Sequence, residues 1–316
     1  KQGGCGLSNL SVMEPSIRPA RLADQSAIAG FTTDTFEWGD YVADAFSEWM
    51  ADDNSCVMVA TDSANAPVAV GRGIMLSPTE LWLQGMRVHP GQRRQGLGSA
   101  IAVELVRWAR SRGALVARLG VEGWNTPAKR QVETVGFRPV ADWVIARREA
   151  PSEEPDMSSN GGKRAKARRR LERAHSAEAT PAWISWRSGP LLRPARGLHS
   201  WRWRWARLEL DYLVAAAKEG ELWSSQAGWA MARSDGERLT VGWLECGPDD
   251  AADMVGSLVD LSVTTEAERI HIAVPAVDWL VAGLEAAHFE MIHPMVIYEV
   301  GVWRSGPGGR GLEVGA

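Results

Sequence analysis

Cysteine is scarce: Cys5, Cys56 and Cys246 stand far apart in a chain of 316 residues. That spacing offers neither a metal-ligand cluster nor a disulfide framework, and it fits a reducing cytoplasm. Long apolar runs are also missing. None approaches the roughly 20 residues that a membrane-spanning helix needs, so no membrane partner is expected. Residues 1–12 lack the apolar middle of a secretion signal. The expectation is a loose leader over residues 1–14, with the folded part starting near Met13. Charge of one sign is not in excess either. A net charge of -4 excludes a general pull toward nucleic acid or anionic lipid, so any basic function must be local.

Tryptophan, by contrast, occurs 16 times. It is large and is spent mostly on cores, interfaces and ligand pockets. Hydrophobic residues make up 45% and charged residues 23%, which is the balance of a globular protein. The length is too great for one ordinary core and points to two domains.

Helix and strand breakers concentrate between Ala150 and Ala179. That segment opens Pro-Ser-Glu-Glu-Pro, continues Ser158-Ser159-Asn160-Gly161-Gly162 and includes the basic run Lys163–Arg170. It reads as a polar linker over 150–179, with a domain on either side (15–149 and 180–303) and a flexible tail over 304–316. The basic run could bind nucleic acid, but a solvated linker is the simpler expectation, and no nucleic-acid partner is expected.

In the first half the pattern predicts a helical region over 24–50 and strands over 56–60, 67–75 and 81–88. A helix follows, with Ile101, Leu105, Trp108 and Ala109 on one face and Gly113 capping its end. Then come a strand over 115–121, a short helix over 127–135 and a strand over 137–147. The second half repeats the order: a strand over 183–187, a helix over 198–217, strands over 222–226, 229–233 and 239–245, a helix over 249–264, a strand over 270–274, a helix over 277–288 and a strand over 291–302. The likeness is one of element order, and it reads as a tandem repeat. Trp201, Trp203 and Trp205 alternate with Arg202 and Arg204. As a strand this puts the three Trp on one face. As a helix, Trp201 and Trp205 share a face with Leu208 and Tyr212, and the helix is the expectation here.

One stretch carries recognisable chemistry. Val88-His89-Pro90 leaves a strand, and Arg93-Arg94-Gln95-Gly96-Leu97-Gly98-Ser99 runs into the helix. Unpaired amides at a helix start, the helix dipole, glycines that admit close approach and two arginines together describe a phosphate site. Further on stand Asn125, Ala128, Gly136 and Phe137.

These two motifs resemble the GNAT superfamily of acyl-CoA N-acyltransferases. Val88, Pro90, Arg93, Gly96 and Gly98 match its phosphate-loop pattern. Asn125 and Ala128, followed by Gly136-Phe137, match its second motif. The resemblance covers about residues 15–150. It implies an α/β (α+β) fold of two tandem GNAT-like domains, each with a mixed, mostly antiparallel central sheet flanked by helices. It also implies acetyl-CoA as cosubstrate without a metal. Backbone groups of Met86, Arg87 and Val88 would pair with the pantetheine arm. The loop Arg93, Arg94, Gln95, Gly96, Leu97, Gly98 and Ser99 would hold the pyrophosphate, and Asn125 and Ala128 would lie near the thioester. A primary amine of a small molecule or peptide would attack the thioester directly, in a monomer or homodimer. Such an attack needs a proton acceptor and a donor for the developing oxyanion, a strand N–H near Met86.

The chain departs from the family where proton transfer is concerned. The family's usual tyrosine position holds Val132, and its usual strand carboxylate positions hold Trp82 and Gln84. Glu80, on the same strand face, and Glu122 are the carboxylate candidates, with Glu37 and Asp40 approaching from the helical region. Tyr41 would replace the missing hydroxyl. His89 is expected to be exposed, and Trp82 is either core or pocket wall. The same departures also suit a non-catalytic acyl-CoA-binding sensor. The second half has lost the loop: Cys246-Gly247-Pro248-Asp249-Asp250-Ala251-Ala252-Asp253 stands in its place. Pro248 lacks an N–H, the acids can cap their own helix, and no cofactor is expected there.

Overall fold

The computed structural model describes residues 16–33, 39–151 and 170–302. The leader, Phe36, Glu37, most of the basic run and the C-terminal tail lie outside the described residues. Contacts divide the chain into two compact units. The first takes the chain up to Met75 together with Leu83–Ala114, and the second takes Leu76–Trp82 and the chain from Leu115 onward. The division therefore passes through a strand, not through the polar segment 150–179.

The first unit contains β1 (Ser16–Pro19), α1 (Gln25–Thr32), α2 (Val42–Ala51), β2 (Ser55–Thr61), most of β3 (Pro67–Ser77), the later part of β4 (Glu80–Val88) and α3 (Leu97–Ser111). β1, β2 and β3 pair antiparallel, Ser16 opposite Thr61 and Ser55 opposite Ile74. Strand alternation gives β2 two apolar faces. Val57 and Val59 join a cluster with Ile28, Phe31, Val42, Phe46 and Trp49 from α1 and α2. Met58, on the other face, is opposite Gly71, and a Cβ on Gly71 would come within 2.8 Å of Ile101 on α3. The expected helical region over 24–50 is thus two helices. In α2, Val42, Phe46 and Trp49 follow helical spacing and are all buried.

The second unit has the strand order β4–β5–β14–β6–β13–β12–β11–β10–β7. Their ranges are β5 (Val116–Glu122), β6 (Arg138–Glu149), β7 (Glu172–Arg173), β10 (Leu222–Ser225), β11 (Gly228–Ser234), β12 (Arg238–Cys246), β13 (Arg269–Pro275) and β14 (Glu290–Gly301). The start of β4 runs parallel to β5, and β12 runs parallel to β13; the other recorded pairings are antiparallel. The last strand, β14, lies between β5 and β6, and β6 lies between β14 and β13. Each sequence half therefore places its final strand beside a strand of the other half. The two halves share one mixed, mostly antiparallel sheet in this unit, flanked by α4 (Thr126–Thr134), α5 (Ala179–Ser188), α6 (Leu210–Lys218), α7 (Ala251–Thr264) and α8 (Asp278–Ala286).

Two local expectations are overturned. Residues 183–187 belong to helix α5, not a strand: Ala182 and Trp186 sit one turn apart and both are buried. Residues 198–207 form a hairpin, β8 (Leu198–Trp201) and β9 (Arg204–Arg207), and the helix begins only at Leu210. Arg202 and Trp203 make the turn with φ of 51° and 63°, the left-handed pair that suits the twist of a hairpin. Within the expected linker, Glu172 and Arg173 pair with β10, and Leu171 and Ala174 beside them are buried. Among the described residues no helix is long and apolar enough to cross a membrane.

Candidate active site

In the first unit, β4 is not regularly extended. Gly85 has a φ of 67°, and a Cβ there would land in the Trp49 ring. Only glycine fits both the left-handed backbone and the space. After Val88 the backbone of His89 donates to Val68 O at 2.8 Å. The His89 ring is exposed, its Nδ1 accepts from the amide of Gly91 at 3.1 Å, and its edge meets Phe31. It shapes the loop, as its expected exposure suggests.

Residues 90–92 form a single 3-10 turn, and Arg93 Nε donates to Val88 O at 3.3 Å. Arg94 and Gly96 both adopt left-handed backbone, with φ of 65° and 78°. Gly96 turns the chain into α3, and no side chain caps that start. The first-turn amides of Leu97, Gly98 and Ser99 have no acceptor inside the helix by geometry. Arg93, Arg94, Gln95 and Gly96 are exposed, while Leu97 and Gly98 are buried. Open space surrounds the Cβ position of Gly96, so it is the backbone turn, not crowding, that calls for glycine there. Bare amides, the positive helix end and two arginines make a surface for an anion. At the far end of α3, Ala114 N donates to Ala109 O and Gly113 N to Arg110 O, the glycine cap expected there.

Arg87 grips Asp40 with two donors, and Tyr41, half exposed, lies with its ring against Trp49 and beneath the Arg87 guanidinium. Met86 O accepts from Arg87 Nη1 at 3.0 Å.

In the second unit, Asn125 is the N-cap of α4. Its Oδ1 accepts from the amide of Ala128 at 3.1 Å, which leaves its side-chain NH2 without a protein acceptor among the described residues. Its own amide donates to Glu122 O at 2.9 Å. Glu122, opposite Met295 on β14, is half-buried, and its carboxylate has no protein partner among the described residues. Glu80 is different. It is buried and paired with Arg118, which also donates to Glu299 at 2.7 Å, and the amide of Arg207 approaches both Glu80 oxygens at 3.3 and 3.4 Å. Those donors engage both its oxygens, which is the condition of a structural carboxylate. Trp82 is 3% exposed and stacks with Trp205, which meets Trp143 edge-on. It is core.

The chain has three tyrosines. Tyr212 donates to Leu76 O at 3.2 Å, and burial and the nearby Glu80 push its hydroxyl pKa up. Tyr298 donates to Glu133 at 3.1 Å and is pushed up by burial and by that bond. Sequence reasoning missed both contacts, because the partners lie more than a hundred residues apart along the chain. Val132 is half-buried in α4 and offers no hydroxyl.

No curated protein matches this chain by sequence. Residues 25–137 match the Acetyltransferase (GNAT) family. Among solved structures, a GCN5-related N-acetyltransferase of Sphaerobacter thermophilus is 15% identical over 92% of this chain and 97% of its own, with a TM-score of 0.59. A protein of Thermoplasma acidophilum is 16% identical over 92% and 100%, with a TM-score of 0.57. A tandem GNAT protein from the clavulanic acid biosynthesis pathway is 12% identical over 93% and 100%, with a TM-score of 0.52. The fold is that of two GNAT repeats in one chain, and the match of residues 25–137 to the GNAT family falls in the first of them.

Proposed function

We propose that the protein is an N-acetyltransferase that passes an acetyl group from acetyl-CoA to a primary amine of a small molecule or peptide. The observation that carries this reading is the uncapped start of α3 behind the left-handed turn at Gly96. The amides from Arg94 to Ser99 take the pyrophosphate, with Arg93 and Arg94 adding charge. Backbone groups of Met86, Arg87 and Val88 take the pantetheine arm, and the family resemblance adds Asn125 and Ala128 toward the thioester. The side-chain NH2 of Asn125 remains as a donor. The repeats are residues 15–149 and 180–303, and the second serves as a brace without a cofactor of its own.

The chemistry is direct attack. The amine must lose a proton, the carbonyl oxygen must find an N–H as it becomes an oxyanion, and the CoA thiolate must leave. Glu122, which has no protein partner among the described residues, is the carboxylate assigned to proton removal and works through water. Glu80 is left to hold Arg118. Tyr41, whose ring lies against Trp49 and the Arg87 guanidinium, supplies the hydroxyl. The acceptor is a small-molecule or peptide amine in a cytoplasmic setting, and the protein acts as a monomer or homodimer.

The second reading is an acyl-CoA sensor without turnover, favoured by Val132 and by the engagement of Glu80. Release of free CoA thiol from acetyl-CoA, measured with a panel of primary amines, separates the two. Amine-dependent release supports the enzyme. Tight binding without release from any amine supports the sensor, and no binding at all removes both.

A further inference from the structure

One guanidinium in the first unit holds three separate groups. Arg87 is the penultimate residue of β4. Its Nε donates to Asp40 Oδ2 at 2.6 Å and its Nη2 to Asp40 Oδ1 at 3.3 Å, a two-point grip. The Asp40 side chain is 0% exposed. Its Oδ1 also accepts from the amide of Val42, at the start of α2, at 3.0 Å. Asp40 is thereby committed to holding the chain and cannot serve as the base. The remaining arm of Arg87, Nη1, donates to the carbonyl of Met86 at 3.0 Å. The guanidinium carbon lies 5.7 Å from the centre of the Tyr41 ring. That ring meets Trp49 edge-on at 5.9 Å, and Trp49 fills the space beside Gly85.

We infer that the Arg87 side chain, clamped by Asp40, is a positioning residue for acyl transfer: it orients the peptide between Met86 and Arg87 and the hydroxyl-bearing ring of Tyr41. This rests on the reading of Met86–Val88 and Tyr41 given above. A cation on a carbonyl oxygen polarises the whole peptide and strengthens its N–H as a donor. That N–H, the amide of Arg87, is a strand donor near Met86, where the oxyanion needs one and where preorganised donors count most. The geometry also needs this side chain in particular. A planar fork reaches Asp40 twice and Met86 once, whereas a lysine ammonium is a single point.

The test uses the full chain, acetyl-CoA and the amine that gives the fastest thiol release. Arg87→Met is expected to bind acetyl-CoA within about threefold of the parent while kcat falls roughly a hundredfold, the cost of misplacing reacting groups by about 1 Å. Arg87→Lys should recover part of that loss. Asp40→Asn should lower kcat in the same direction, and the Asp40→Asn/Arg87→Met pair should be no worse than Arg87→Met alone, because the two act as one unit. An Arg87→Met protein with parental kcat, or one whose whole defect lies in acetyl-CoA affinity, overturns the inference. So does an additive double variant. If Arg87→Met does not fold, Arg87→Lys and the isosteric Asp40→Asn carry the same readout. A parent chain that fails to bind acetyl-CoA contradicts the proposed function; a parent that turns over beside an unimpaired Arg87→Met contradicts only this inference.

Discussion

The chain crosses from a strand to a helix to a parallel strand in two corresponding places, and the two crossings are built differently. In the first, β4 ends at Val88, residues 89–96 make an exposed loop with two left-handed residues, and α3 starts uncapped at Leu97. In the second, β12 ends at Cys246, residues 247–250 make a short 3-10 turn containing Pro248, and α7 starts at Ala251 with Asp249, Asp250 and Asp253 around it. Acidic side chains at that end are favoured by the helix dipole. The penultimate strand residues differ as sharply. Arg87 is paired with Asp40, whereas Glu245 is buried with Oε2 lacking a hydrogen-bond partner among the described residues. The strand–helix–strand frame is common to both, and the difference between them resides in the loop between strand and helix.

Breaking the distinctive strand of the first crossing should have the largest effect. Counting back from the strand ends, Gly85 in β4 corresponds to Trp243 in β12. Gly85→Val should destabilise the protein by about 4 kcal/mol, because it adds bulk against Trp49 and strains a left-handed backbone. Urea unfolding checks this; a loss below about 1 kcal/mol would mean that β4 needs no such break.

Glu245 gives the next effect. Burial pushes its carboxyl pKa up to about 8. The folded form therefore holds a proton that the unfolded chain releases near its ordinary value. Stability should fall as pH rises from about 4.5 to about 8 and then level off, by on the order of 3 kcal/mol in all. Glu245→Gln should flatten that dependence and be the more stable protein at pH 8. Denaturation midpoints at several pH values decide it, and an unchanged slope in the variant would contradict the assignment.

Activity should respond less steeply. Glu122→Gln is expected to lower amine-dependent thiol release by about tenfold, below the hundredfold or more that removal of a lone general base brings. A loss of a thousandfold would make Glu122 the base by itself. The smallest change is expected at the second crossing: Asp249→Asn should shift stability by no more than about 0.5 kcal/mol, as a single exposed charge near a helix start does.

Much of this was legible beforehand. The turn ahead of α3 and the end of that helix declare themselves because Gly96 and Gly113 occupy left-handed backbone that favours glycine. The hairpin over 198–207 did not, because its left-handed turn is made by Arg202 and Trp203 in place of the usual Asn and Gly. Trp201 and Trp205 fit a helical period as well as a strand one. Residues 183–187 misled through the strand preference of aromatic residues, which helix packing of Ala182 and Trp186 overrode. The exchange of β6 and β14 and the engagement of Glu80 by Arg118 depend on long-range pairing, which carries no local signature.

The central claim, one anion-competent crossing in a chain that contains two, is tested most directly by calorimetric titration of the full chain with acetyl-CoA. The account predicts one equivalent bound per chain. It also predicts that Gly96→Asp, still folded, loses at least roughly a hundredfold in affinity, since a strained left-handed backbone and a lost charge-assisted contact together amount to about 3 kcal/mol. Two equivalents per chain, or parental affinity in Gly96→Asp, would contradict it.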